Sequence, residues 1–305
     1  GRELRVLGEQ AAVPGSSLVL SIDLDLQRKT TEFLQEAMGL SLNGAAIVID
    51  TRTGELLAMV SLPLYDNNLF TGEVDEAALT ELQTNPGKPL LNHAIAEMYP
   101  PGSTFKQVTG LAALQDGIAT PGTTIFSPGI IYVQDEYNPS VRYPFPDWAP
   151  LGSLNFYRGV AMSSDVYFYY LAGGYSENGR DLFQGLGATR LAEWARRFGL
   201  GAETGIDLPG ESSGIVPDPK WKEETWNEVW TIGDTYHFGI GQGFMTATPI
   251  QMAVVTAAIA NGGNVLVPHV VTGVRDGAGN VAPLQRDYTI RTLGIDQRNV
   301  DVMRE

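Results

Sequence analysis

The sequence has no cysteine. That absence removes disulfides, thiol nucleophiles and thiolate metal sites together. Histidine is scarce: His93, His237 and His269 are the only three, and no two stand at HxH or HxxxH spacing. A histidine-based metal centre is therefore not expected. No run reaches the roughly 18 uninterrupted apolar residues that a membrane helix needs. The start Gly1-Arg2-Glu3-Leu4-Arg5 is charged and no apolar stretch follows it, so a signal peptide is not expected and the chain reads as a soluble piece. Basic residues are few, 20 Lys and Arg against 35 Asp and Glu, for a net charge of −15. Such a surface repels phosphate backbones, which sets nucleic acid aside as a partner.

What is present is a chain of 305 residues, 43% hydrophobic, enough for a large core. "SLVLSID", Ser17 to Asp23, alternates and predicts a strand. Asp23 or Asp25 can cap a helix from Leu26 to about Met38. "GAAIVIDTRTGELLAMVSLP" reads as a hairpin turning at Thr51 to Gly54, apolar enough in both strands to lie in a sheet covered on both faces. A short helix is expected over Glu76 to Gln83. The segment from Gly122 to Gly152 is rich in Pro, Gly and aromatics and reads as a surface excursion with one short hairpin. Further helices are expected at Ser153 to Ala161, Val166 to Leu171 and Leu182 to Phe198, the last with Gly199 at its C-terminus. Proline-rich loops follow. In "TPIQMAVVTAAIANGG", Thr248 caps, Pro249 takes the first helical position, and Gly262-Gly263 end a helix apolar nearly all round. Val265 to Val274 predicts a strand, and Asp296 to Glu305 a charged helix. Helices inserted between an early hairpin and late strands predict an α+β fold, one domain with a helical lobe in the middle and a sheet built from both ends of the chain.

The chemistry is concentrated in two places. "YPPGSTFK" delivers Ser103 to the start of an apolar helix with Lys106 three residues on, so the two side chains share a face. A serine hydroxyl needs a nearby base, and a lysine serves as one only when neutral; burial or a second cation lowers its pKa. Taken alone, the same residues read first as a helix-cap serine and a surface lysine. "GVAMSSDVYFYYLAG" places Ser163-Ser164-Asp165 between two helical patterns. Ser163 and Asp165 can point one way and Ser164 another; either Ser164 or Asp165 can cap the aromatic helix. "GESSG", Gly210 to Gly214, matches a nucleophile elbow only on paper, since prolines flank it and no helix follows. "GIGQG", Gly239 to Gly243, lacks the later glycine and lysine of a nucleotide loop and suits a close backbone approach near a cleft.

"YPPGSTFK", "SSDVYFY", "FGLGAETGIDLPGE" and "GIGQGFMTATPIQMAVVTAAIANGG", in this order, resemble the transpeptidase domain of class B penicillin-binding proteins. "TGIDLPGE" and "IGQG" are most similar to the elongation (penicillin-binding protein 2) type. The resemblance implies a penicillin-binding, serine β-lactamase-like α+β fold and a serine-type D-Ala-D-Ala transpeptidase that cross-links peptidoglycan stem peptides and is acylated by β-lactam antibiotics. It implies Ser103 as the acylated nucleophile, Lys106 as its proton acceptor, Ser163 as a relay to the leaving amine, and Asp165, where many relatives have Asn, as the residue holding Lys106 and substrate. Gly241, Gln242 and Gly243 would border the substrate. A carboxylate beside Lys106 raises its pKa. Either the site compensates, or the lysine rests charged and works through Ser163.

The chain departs from the family pattern in lacking K-T-G or K-S-G, a strand that in the family lies beyond Glu305. The resemblance thus implies a truncated chain, nearly inactive alone, whose hairpin strands lack a neighbour; one lost oxyanion donor typically costs ~10²–10³ in rate. Some elongation-type relatives carry a zinc-binding insert; the equivalent stretch here has no Cys or His, so no zinc and no cofactor are expected. Also implied are a place on the outer face of the cytoplasmic membrane and a membrane glycan polymerase as partner. The alternatives are a D,D-carboxypeptidase or β-lactamase-related hydrolase, and a non-catalytic penicillin sensor or scaffold.

Overall fold

A computed structural model describes residues 15–71, 75–135, 138, 140–177, 179–285 and 288–305. Strand β1 (Ser17–Leu20) stops short of Asp23, because that residue leaves the strand to cap helix α1 (Leu24–Met38). The Asp23 carboxylate accepts the amides of Asp25 and Leu26, both at 3.0 Å, so it is the cap rather than Asp25. The hairpin forms as strands β2 (Gly44–Ile49) and β3 (Leu56–Leu62). Its burial corrects the expectation. β3 alternates buried and half-buried residues, and β2 is half-buried throughout. Helix α1 fastens to β3 through Gln27, whose side-chain amide donates to Met59 O and accepts from Met59 N, each at 2.8 Å. Among the described residues β2 and β3 pair only with each other.

After helix α2 (Glu76–Thr84) comes helix α3 (Lys106–Gln115), around which the core is organised. Lys106 and every residue from Val108 to Leu114 are buried. Its Val108, Leu111 and Ala112 join one apolar cluster with Trp194, Phe198 and Val255; Ala113 and Leu114 join another with Phe156, Tyr167 and Phe168. A helix apolar on all sides is a core helix.

The segment from 122 to 152 is more than a surface excursion. It holds β4 (Ile125–Ser127), β5 (Ile130–Gln134), β6 (Arg142–Pro146) and β7 (Gly152–Leu154). β5 and β6 form the expected hairpin and β4 pairs with β7. Ile131, Phe145 and Leu154 are buried in the cluster of Tyr167 and Phe168, so the segment roofs part of the core. Because β7 takes Ser153 and Leu154, helix α4 (Phe156–Ala161) starts later than expected, capped by Asn155. Helix α5 is Asp165–Gly173. The hairpin β8 (Tyr175–Glu177) and β9 (Arg180–Phe183) claims Leu182 and Phe183, so α6 (Ala188–Arg197) is shorter than expected. It ends at Arg197 with Phe198 as its C-cap, and Gly199 follows at φ 94°, the left-handed position that favours glycine.

Helices α7 (Pro219–Trp226) and α8 (Ile232–Gly239) have no long apolar period. Their caps mark them: Asp218 followed by Pro219, and Thr231 in a capping box with Asp234. Helix α9 (Pro249–Ala260) starts as expected. The strand expected over Val265 to Val274 is two, β10 (Asn264–Leu266) and β11 (Val271–Arg275), interrupted at Pro268. β11 lies between β1 and β12 (Val281–Pro283), and β10 pairs with β13 (Thr289–Thr292). Helix α10 (Gln297–Arg304) is capped by Asp296. The β1–β11 pair joins the two ends of the chain around the helical middle, the α+β plan the element order predicts.

The Thr248 cap is fully buried, so water cannot replace it. Thr248→Ala orphans the Gln251 amide and should lower stability by about 2 kcal/mol. A thermal melt checks this, with an expected fall of about 3 °C for a chain of this size.

Candidate active site

The turn before α3 sets the position of Ser103. Gly102 has φ 56°, and Gly102–Phe105 form a single 3-10 turn that runs into the helix. The Lys106 amide donates to the Ser103 carbonyl. Residues three apart eclipse in such a turn, so Ser103 and Lys106 lie on the same side. The Ser103 side chain stands in solvent, while Phe105 is fully buried with its ring stacked on Phe238, centroids 5.4 Å apart.

The "GIGQG" stretch holds this turn from below. Gly102 N donates to Gly241 O at 2.8 Å, and Tyr99 and Ala247 exchange backbone bonds, each 2.9 Å. A Cβ on Gly241 would sit 2.3 Å from Gly102 O and 2.6 Å from Phe105 Cβ, and Gly241 has φ 72°. Only glycine fits there. Gln242 and Gly243 are exposed beside it, and Gln242 N donates to His237 O at 2.8 Å.

Lys106 carries the electrostatics. It is 4% exposed, yet its Nζ meets three oxygens: Asp165 Oδ1 at 2.6 Å, Ser163 O at 2.7 Å and Ser163 Oγ at 3.1 Å. The Phe168 ring centroid lies 5.4 Å from Nζ. Among the described residues no side-chain hydrogen bond joins Ser103 to Lys106. Burial pushes the Lys106 ammonium below its ordinary lysine value; the bond and charge of Asp165, then the charge of Asp147, pull it back, and burial prevails. The structure therefore brings Lys106, Ser163 and Asp165 into direct contact, one turn from the exposed Ser103.

The Ser-Ser-Asp turn divides its labour. Ser163 has φ 50°, a left-handed conformation uncommon for a residue with a Cβ. There its carbonyl and hydroxyl both face Lys106. Ser164 turns inward, fully buried, and caps α5 by accepting the Tyr167 amide at 3.1 Å. Asp165 is then free to face Lys106.

One residue beside the site has no sequence motif to mark it. Asp147, 8% exposed at the end of the β6 segment, bonds Ser164 Oγ at 2.5 Å and the amides of Asp165 and Val166 at 3.1 and 3.3 Å. The "GESSG" stretch is a locked loop rather than an elbow: Ser212 Oγ donates to Ala96 O at 2.7 Å, and Glu211 accepts from Thr204 and Gly205. Among the described residues no group of three or more His, Asp or Glu is placed to hold a metal ion.

A family model, the penicillin binding protein transpeptidase domain, matches residues 44–303. The chain belongs to that family. The transpeptidase domain is of the penicillin-binding protein 2/MrdA type. It is 38% identical over 270 residues to the peptidoglycan D,D-transpeptidase MrdA of Acinetobacter baumannii, covering 88% of this chain and 37% of that protein. MrdA of Escherichia coli K12 is 36% identical over 287 residues, 93% of this chain and 42% of that one. The crystal structure of Pseudomonas aeruginosa PBP2 in complex with WCK 5153 superposes with a TM-score of 0.77 at 36% identity, over 95% of this chain and 61% of that chain. The domain thus spans well under half the length of the MrdA relatives. The match carries the α+β penicillin-binding fold with it.

Asp165→Asn removes the nearest charge that opposes burial. The Lys106 titration should therefore move to lower pH than in the wild-type transpeptidase domain. NMR of the lysine side-chain ε-methylene, assigned by Lys106→Arg, reads the shift; a move upward contradicts the balance described.

Proposed function

We propose that the full protein is a peptidoglycan D,D-transpeptidase working through a serine acyl-enzyme. The observation that carries this reading is the buried Lys106 amine, held by Ser163 and Asp165 one turn from an exposed serine. Ser103 Oγ attacks the carbonyl between the two D-alanines of a donor stem peptide, and its proton passes to the Lys106 amine. The C–N bond breaks, and the leaving D-alanine amine takes a proton through Ser163. An amine of a second stem peptide then attacks the ester. A new amide forms, and Ser103 regains its proton.

Depression of the lysine by burial supports its role as the base, and the Ser163 hydroxyl, which can donate to Nζ as well as accept from it, supports the relay. Gly241 supports the Ser103 turn directly, with Gln242 and Gly243 exposed at the rim beside it. β-Lactams would acylate the same hydroxyl. Residues 1–305 are read as one transpeptidase domain. A solved complex of Helicobacter pylori PBP2 with MreC, whose PBP2 is 32% identical to this chain, supports an MreC-type partner; a membrane glycan polymerase and a place on the outer face of the cytoplasmic membrane complete the reading.

The test is labelling of the full-length protein with a fluorescent penicillin, followed by product analysis with an added amine acceptor. Wild type should be labelled on Ser103 and Ser103→Ala should not. Ser163→Ala should lose ~10²–10⁴ in acylation rate. Labelling that survives Ser103→Ala would sink the assignment, and product formed with water alone would favour the carboxypeptidase class.

A further inference from the structure

Asp147 directs its whole carboxylate inward. Oδ1 accepts the amides of Trp148 at 3.0 Å and Asp165 at 3.1 Å. Oδ2 accepts Ser164 Oγ at 2.5 Å, Ser127 Oγ at 2.8 Å and the Val166 amide at 3.3 Å. Three of the five donors belong to the first turn of α5: its cap hydroxyl and two consecutive amides. The next residue holds the other side of the same turn, since Trp148 Nε1 donates to Met162 O at 2.9 Å. Ser163 stands between these two anchors, in a left-handed conformation that L residues keep only where their surroundings impose it. Its carbonyl and hydroxyl, and the Asp165 carboxylate beyond it, are what hold Lys106.

We propose that Asp147 is a positioning residue for the acylation step, clamping the first turn of α5 so that Ser163 and Asp165 stay on Lys106. This rests on the acyl-enzyme reading above. The clamp acts at a distance as well as by contact. The charged groups acting on Lys106 are Asp165, in direct contact, and Asp147 behind it; Ser163 is neutral, and Phe168 presents a ring. Both carboxylates oppose the effect of burial on the lysine.

The substitution Asp147→Asn keeps the shape and breaks the clamp. Whichever way the new amide is turned, its NH₂ replaces the acceptor of either the Asp165 or the Val166 amide, and neither can accept in return. Ser127→Ala serves as the comparison, because it removes a donor from the same carboxylate while leaving every α5 bond in place.

The measurements use the full-length protein. The second-order rate of acylation by a fluorescent penicillin is followed together with the Lys106 titration, read from the pH dependence of its reaction with acetic anhydride by mass spectrometry. Asp147→Asn should lose about 10²-fold in acylation rate, the scale set by small misplacements of reacting groups. Its Lys106 titration should move to lower pH. Ser127→Ala should lose melting temperature and change neither reading. Wild-type rate and an unmoved titration in Asp147→Asn overturn the proposal, as does an equal loss of rate in Ser127→Ala. Should Asp147→Asn fail to fold, Ser164→Ala decides: the proposal requires slower acylation with the titration in place, and an unchanged rate overturns it. Failure of the acyl-enzyme reading looks different, since the wild-type protein itself would take no label on Ser103; the Lys106 titration then still tests the clamp.

Discussion

The site depends on one amine kept out of water. Lys106 sits in the first turn of a helix whose buried wall includes Val108, Leu111 and Ala112, with the Phe168 ring of α5 beside its amine, and a charge there is costly unless it is met. Ser163 and Asp165 meet it with three oxygens, which leaves the lysine poised between burial and pairing. Without the pair, the ammonium would be uncompensated. Without burial, it would remain an ordinary lysine, fully charged and useless as a base. The surrounding helices maintain that balance: α3 supplies the wall, α5 the counter-charge, and α8 with its following glycines the floor under the serine.

The local signals of this arrangement were open to a reading of the sequence. A serine and lysine three apart at the mouth of an apolar helix describe their own geometry, and "SSD" before an aromatic run is a cap by composition. The choice between Ser164 and Asp165 as the cap was not legible. It is decided by which side chain faces Asp147, a residue distant in sequence. Asp147 itself lies among prolines and aromatics without a period, so nothing local marks it as buried.

The fold shows the same division. The capped helices α1, α9 and α10 stand close to where their residues indicate, because a cap is a short-range bond. The elements misjudged are those decided by partners elsewhere. Leu182 and Phe183 look helical but lie in a hairpin strand, with Phe183 paired to Tyr175. Ser153 reads as the start of a helix, yet its strand pairs with Phe126, and Asn155 caps the helix later. The β2–β3 strands look interior, but β2 is half-buried throughout, a matter of what packs over its faces rather than of its own residues.

The seat of Ser103 on Gly241 has a consequence for how the protein comes into being. The two residues are far apart along the chain, so the Ser103 turn takes its final shape only once α8 has docked and the long intervening segment has closed. Until then a nascent chain would own Ser103 without the backbone that seats it. The seat of Ser103 would accordingly be completed with the long-range contacts of the native state rather than ahead of them.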